Sequence, residues 1–94
     1  MKQVPVVIFR LYITGNAPNS LLAKDNLASL CESFLAGCHR VEIVDLLQQP
    51  ERALTDGVYM TPTLVKLAPP PEARFVGSLS DPTHIVATLG LKPA

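Results

Sequence analysis

Residues 4–13 are apolar at almost every position. Val4, Val6, Val7, Ile8, Phe9, Leu11, Tyr12 and Ile13 are β-branched, aromatic or aliphatic, which predicts a strand. Apolar side chains on both of its faces predict a central strand covered on both sides, with regular pairing starting after Pro5. The run stops at residues 14–19, where Gly15, Asn16, Pro18 and Asn19 supply turn chemistry. From residue 20 to residue 36 the period changes. Leu27, Leu30, Cys31, Phe34 and Leu35 recur at spacings of three and four, the stripe of an amphipathic helix. Asn19 or Ser20 is the expected N-cap, and Gly37 suits the left-handed position past the helix end. Residues 40–46 alternate, with Val41 and Ile43 on one face and Glu42 and Val44 on the other. This is a second strand. A helix between two strands makes them parallel neighbours with a right-handed crossover.

The second half is patterned more weakly. Residues 48–56 suit a short helix, with Pro50 in its first turn and Gly57 at its end. Residues 61–67 read as a third strand with Pro62 near its start. Pro69, Pro70 and Pro71 cannot donate ladder hydrogen bonds, so they make a rigid turn or an edge. Residues 74–76 form a short fourth strand. Pro82 opens a last helix carrying Ile85, Val86 and Leu89, which Gly90 and Pro93 end. The order β-α-β-α-β-β-α is that of a thioredoxin-like fold, a mixed sheet with helices on both faces. Pro62 falls where that fold carries a cis-proline.

Composition narrows the functional classes. A chain of 94 residues is one domain. Eight basic residues balance eight acidic ones, so no basic surface for nucleic acid is expected. No run approaches the ~20 apolar residues that span a bilayer. Lys2 and Arg10 without a small-residue cleavage site read as mature, cytoplasmic protein. Apolar residues reach 48%, enough for a core. A domain of this size buries only about 60% of its unfolded surface, so self-association is expected.

The candidate chemistry is mostly negative. A thioredoxin-like redox centre needs a thiolate at the first turn of the first helix. That place reads Asn16-Ala17-Pro18-Asn19-Ser20, so disulfide or peroxide chemistry is excluded. Cys31 and Cys38 have six residues between them, and with His39 they make a poor metal set. Cys31 is expected on a buried helix face and Cys38 in a loop. Ser20 reads as a cap and not a nucleophile. Asp45 reads as a strand-end cap or a loop ion pair, and Tyr12 and Tyr59 as half-buried packing residues. Lys66, Arg74 and His84 read as surface side chains. No cofactor and no catalytic residue are expected.

Two longer motifs are specific. Residues 11–20, Leu-Tyr-Ile-Thr-Gly-Asn-Ala-Pro-Asn-Ser, resemble the L-Y-V-A-G-N-T-P-N-S signature of the KaiB circadian-clock family. Residues 61–71, Thr-Pro-Thr-Leu-Val-Lys-Leu-Ala-Pro-Pro-Pro, resemble its T-P-T-L-A-K-V-L-P-P-P. Val44-Asp45-Leu46 and Gly77-Ser78-Leu79-Ser80 fall where the family has I-D-V and G-D-L-S. The resemblance covers nearly the whole of residues 1–94. It implies a non-catalytic protein that binds a KaiC-type ATPase and modulates its phosphorylation state in a clock, timer or stress-response system. It also implies a metamorphic chain. Residues 1–49 are common to two folds, and residues 50–94 re-pair between the thioredoxin-like form and a β-α-β-β-α-α-β ground state, usually a homotetramer.

On that reading Gly15, Asn16, Pro18, Asn19, Lys66 and Arg74 are candidate partner-binding residues. Pro62, Pro69, Pro70 and Pro71 are candidates for the fold switch. The cyanobacterial clock members carry basic residues in the stretch that here reads Leu21-Leu22-Ala23 and at the places of Glu42 and Gly57. Lost basic residues change partner choice more than fold. The competing reading is therefore a thioredoxin-like interaction or sensor module acting on a histidine kinase or another signalling protein. The chain is expected to be a homo-oligomer, a dimer or tetramer, with no nucleic acid or membrane partner, and the resemblance implies that its thioredoxin-like form is a monomer.

Overall fold

The apolar run near the N-terminus is one of the two inner strands of a four-stranded sheet. In a computed structural model of the protein, which describes residues 6–91, it is β1 (Val7–Ile13). The expectations placed on Val4, Pro5 and Pro93 lie outside those residues. The elements that follow are α1 (Pro18–Phe34), β2 (His39–Asp45), α2 (Glu51–Thr55), β3 (Thr63–Ala68), β4 (Ala73–Val76) and α3 (Thr83–Leu89). This is the thioredoxin-like order of the two arrangements that the sequence suggested. The strands lie in the order β2-β1-β3-β4. β1 runs parallel to β2, from Val7 opposite His39 to Ile13 opposite Asp45. It runs antiparallel to β3, with a bulge at Ile8 and Phe9, and β3 runs antiparallel to β4. The mixed sheet follows from the connections: α1 carries the chain over to a parallel neighbour, whereas β3 and β4 need only the proline turn.

The two faces of the sheet are buried unequally. On one, Val7, Phe9, Leu11 and Ile13 of β1 meet Ala23, Leu27, Leu30 and Cys31 of α1, Leu64 of β3, Phe75 of β4 and Ile85 of α3. The α1 stripe read from sequence is this face, with Ala23 added to it. On the other, only Tyr12, Val44, Val58 and Val65 form a buried cluster, under the five-residue α2, which contributes no buried side chain of its own. Phe9, Leu11, Leu64 and Val44 are fully buried, each worth roughly 1.5–3 kcal/mol on transfer from water.

Several local expectations are corrected. α1 starts at Pro18, two residues early, because proline pre-sets φ for a first turn. Its cap position is Ala17, and no side chain caps it. Ser20 is instead buried, and its Oγ accepts the Thr14 N–H at 3.0 Å. β3 starts at Thr63 and not at Thr61, since Pro62 has no N–H for the ladder; the Thr61–Pro62 peptide bond is cis. The Ala68–Pro69 and Pro70–Pro71 bonds are also cis, in the turn between β3 and β4. α2 is shorter than residues 48–56, because the Gln48 and Gln49 N–H groups return to the Asp45 carbonyl in a turn. Tyr59 is 84% exposed rather than half-buried, while Lys66 is buried rather than a surface side chain.

Candidate functional site

One end of the sheet gathers the signature residues. β1 and β2 finish there, and β3 begins there. The β1–α1 loop is closed by the Ala17 N–H donating to the Thr14 carbonyl at 3.1 Å. Gly15 has φ +50°, and a Cβ at that position would sit 2.8 Å from Leu47 Cδ1. The positive φ favours glycine, and an added Cβ would also require the exposed Leu47 side chain to shift. Asp45, at the end of β2, holds the loop. Its Oδ1 accepts the Gly15 N–H at 3.0 Å and the Leu47 N–H at 2.9 Å. The strand-end role read for Asp45 is therefore what the structure gives it. The third part comes from β3. Thr14 Oγ1 and Thr61 Oγ1 share a hydrogen bond of 2.6 Å, which ties the loop to the residue before the cis-proline.

The surface so built exposes the polar Asn16 and Asn19, with Pro18 between them, at the α1 N-terminus. Beside it Leu47, Tyr59 and Met60 are exposed apolar residues, at 68%, 84% and 65%. Tyr59 and Met60 run directly into Thr61. They also line a shallow groove with Gly57, Val58, Thr63, Arg74 and Val76. The structure thus brings Gly15, Asn16, Pro18, Asn19 and Pro62 together. It does not bring Lys66 and Arg74 together. They lie on adjacent strands, with Val65 opposite Arg74 and Lys66 opposite Ala73. Side chains alternate along a strand, so Lys66 faces the α1 side and Arg74 the α2 side. Pro69, Pro70 and Pro71 lie in the β3–β4 turn, well removed from Pro62 along β3.

A chain of polar contacts crosses the α2 side of the sheet. The Arg10 Nε donates to Glu42 Oε1 at 2.6 Å, and its Nη1 lies 3.4 Å from the Tyr12 hydroxyl. Tyr12 donates to Asp56 Oδ2 at 2.6 Å, which also accepts from Arg52 Nε at 3.0 Å. Arg74 donates to the Asp56 and Gly57 carbonyls at 2.7 and 2.8 Å. Burial, followed by the bond to Asp56, holds the Tyr12 hydroxyl above its ordinary pKa. The Tyr12 bond, followed by Arg52, holds the Asp56 carboxyl below the usual carboxylate value. The Arg10 guanidinium is held in its charged form, first by Tyr12 and then by Glu42.

Neither cysteine lies at this end. Cys31 lies thirteen residues past Pro18 on α1, about 20 Å along the helix. It is buried, and burial pushes its thiol up to about 11, which leaves it protonated at neutral pH. Cys38 is half-buried in the α1–β2 connection, and His39 Nδ1 donates to the Leu35 carbonyl at 2.8 Å. Among the described residues no three His, Cys, Asp or Glu side chains converge as metal ligands. His84 is exposed, with its ring edge-on to Phe75 at 5.6 Å between centroids.

Leu47, Met60, Arg52 and Asp56 were not singled out by sequence, and Tyr59 was given a packing role. Only Arg10 carried a signal: it is the one charge within the apolar β1, and the parallel register sets it opposite Glu42. Nothing local marks Asp56 as the partner of Tyr12, forty-four residues away.

The KaiB domain family model matches residues 10–91. Over 87 residues the chain is 39% identical to a "Circadian clock protein KaiB3" of Synechocystis sp., covering 93% of this chain and 85% of that one. It is 39% identical over 84 residues to the "Circadian clock oscillator protein KaiB" of Prochlorococcus marinus, covering 89% and 80%. Among solved structures, the N-terminal domain of Synechococcus elongatus SasA superposes with a TM-score of 0.73 at 18% identity, covering 95% of this chain and 83% of that one. Fasciola hepatica thioredoxin superposes with a TM-score of 0.70 at 20% identity, covering 90% and 79%. Likeness at that identity carries the fold.

Proposed function

Because the chain belongs to the KaiB family of circadian-clock proteins, we propose that it is a non-catalytic regulator that binds a KaiC-type ATPase and alters its phosphorylation state. The observation that carries this reading is the family match across residues 10–91. The site supports it. At the first turn of α1 the chain has a proline and an asparagine with no thiol, and the loop before it is fixed by Asp45, Ser20 and Thr61. A rigid polar loop flanked by exposed Leu47, Tyr59 and Met60 suits a protein partner. Aromatic and methionine side chains are enriched where partners dock. Gly15, Asn16, Pro18 and Asn19 form the proposed contact surface, with Arg74 across the groove.

The rest of the resemblance is proposed with it. Residues 50–94 re-pair between this fold and a β-α-β-β-α-α-β form that associates as a dimer or tetramer in the cytoplasm. Lys66 belongs to that half, and it meets a partner through such a rearrangement, since here it is buried. Two packings a few kcal/mol apart are what a switch of this kind needs.

The test is size-exclusion chromatography of the full chain mixed with the KaiC-type ATPase of the same organism and ATP, sampled over a day. Co-elution, with a changed phosphorylation state of the ATPase, is the expected result. No complex, with an ATPase shown to be active, overturns the proposal and leaves a histidine kinase or other signalling protein as the partner to pursue.

A further inference from the structure

The segment between β2 and β3 is joined to the sheet in an unusual way for a helix-bearing connection. α2 has no buried side chain, and Leu54 is 82% exposed. From residue 47 to residue 60 only Val58 is buried. It fills the small cluster with Tyr12, Val44 and Val65. What sets α2 over that cluster is polar, and it converges on two residues. The Asp56 carboxylate takes the Tyr12 hydroxyl at 2.6 Å, and the Asp56 and Gly57 carbonyls take both Nη atoms of Arg74. Those two carbonyls follow the last turn of α2, where carbonyl groups have no helical partner. Arg74 therefore closes the helix end from β4, and Tyr12 holds the adjacent carboxylate from β1. Arg52 and Arg10 steady the same carboxylate, at 3.0 and 3.9 Å.

We infer that residues 47–60 are a strap, latched on the sheet by the Tyr12–Asp56–Arg74 contacts, and that unlatching is a local opening which uncovers Tyr12, Val44 and Val65 while α1 and its core stay folded. The physical reason is the asymmetry of the two faces. The α1 face is held by a dozen buried apolar residues drawn from five elements and the end of α1. The α2 face is held by four and by a few directional bonds, which are lost together once the geometry slips. Segments with few buried contacts open below the global unfolding free energy. This inference rests on the structure described here and not on the KaiC-binding reading, which it leaves untouched.

The experiment is amide hydrogen exchange on the full chain at pH 7, read segment by segment, for Tyr12→Phe and Arg74→Lys, with Glu32→Gln on the exposed face of α1 as the control. Tyr12→Phe keeps the ring and removes the bond to Asp56. Arg74→Lys keeps the charge, but an ammonium cannot reproduce the two-pronged contact. Both variants are expected to speed exchange at residues 51–60 about tenfold, the effect of losing a single hydrogen bond to a charged group. Exchange in α1 stays as in the parent, and the control changes neither region. Two results overturn the inference. One is equal acceleration in α1 and residues 51–60, which means that the contacts serve global stability alone. The other is no acceleration in either variant. Should Tyr12→Phe fail to fold, Arg74→Lys reads the same latch from the exposed side of β4.

Discussion

Replacing Asp45 by alanine tests how the signature loop is held. One carboxylate oxygen accepts two backbone N–H groups, from Gly15 at 3.0 Å and from Leu47 at 2.9 Å. The first belongs to the β1–α1 loop and the second to the turn after β2, so this single atom fastens two connections to each other. A hydrogen bond to a charged group contributes about 1.5–3 kcal/mol. Asp45 is only half-buried and Leu47 is exposed, so water replaces part of each bond. About 1 kcal/mol for each, or about 2 kcal/mol together, is the working value. For a chain of 94 residues that is a fall in Tm of about 8–16 °C.

Asp45→Asn keeps an acceptor oxygen in place and loses the charge. It is expected to cost about half as much, about 1 kcal/mol. The assay is urea unfolding followed by far-ultraviolet circular dichroism at pH 7 and one fixed protein concentration, which removes any mass-action contribution from association. The midpoint moves and the slope stays constant if only native contacts are lost. An Asp45→Ala variant within about 0.5 kcal/mol of the parent, the usual range for surface substitutions, refutes the reasoning. So does an asparagine variant as unstable as the alanine one, because then the acceptor geometry is not what matters.

Gly15→Ala combines a left-handed φ of +50° with the 2.8 Å approach to Leu47 Cδ1 and is expected to destabilise by about 1 kcal/mol or more. Adding Leu47→Ala recovers the contact and leaves the backbone strain, which a double-mutant cycle in urea separates. Leu27→Ala opens a cavity between α1 and β1, where Leu27 is 2% exposed. It is expected to cost about 3 kcal/mol, whereas exposed Leu22→Ala stays within about 0.5 kcal/mol. A thiol reagent at pH 8 should label Cys38 quickly and Cys31 only after denaturant is added. Two fast thiols would contradict the burial of Cys31. Unfolded, the Cys31 thiol ionises near its ordinary 9.0, and buried it keeps its proton to about 11. Between those values the native state binds the extra proton, so stability falls as pH rises through that window. Cys31→Ala should flatten that part of the pH–stability curve.

The elements that pattern alone determined are those whose neighbours along the chain supply the signal. β1 and α1 carry long apolar periods, and each had its existence and partner face fixed by them. Gly37 and Gly90 take positive φ at 74° and 65°, past the helices they were expected to end. The motif residues were legible too, since the turn chemistry of residues 14–19 and the Thr61–Pro62 step are local. The placement of Ser20 was not, because its hydroxyl turned inward to Thr14 once Pro18 had started the helix. Lys66 and Arg74 were read alike as surface charges, and only the register of β3 and β4 sends them to opposite faces, one buried and one binding carbonyls. Tyr59 looked like a packing residue because tyrosines often are. In the fold it stands 84% exposed, on the segment that leads from α2 into Thr61. Local patterns thus determined which segments are strands, helices and turns, and that this chain has no thiol where a redox thioredoxin needs one. Tertiary structure alone decided the joining of Tyr12, Asp56 and Arg74 and the two hydrogen bonds that Asp45 accepts from two loops. Those contacts depend on sheet order and register, and such long-range geometry leaves no period in the sequence.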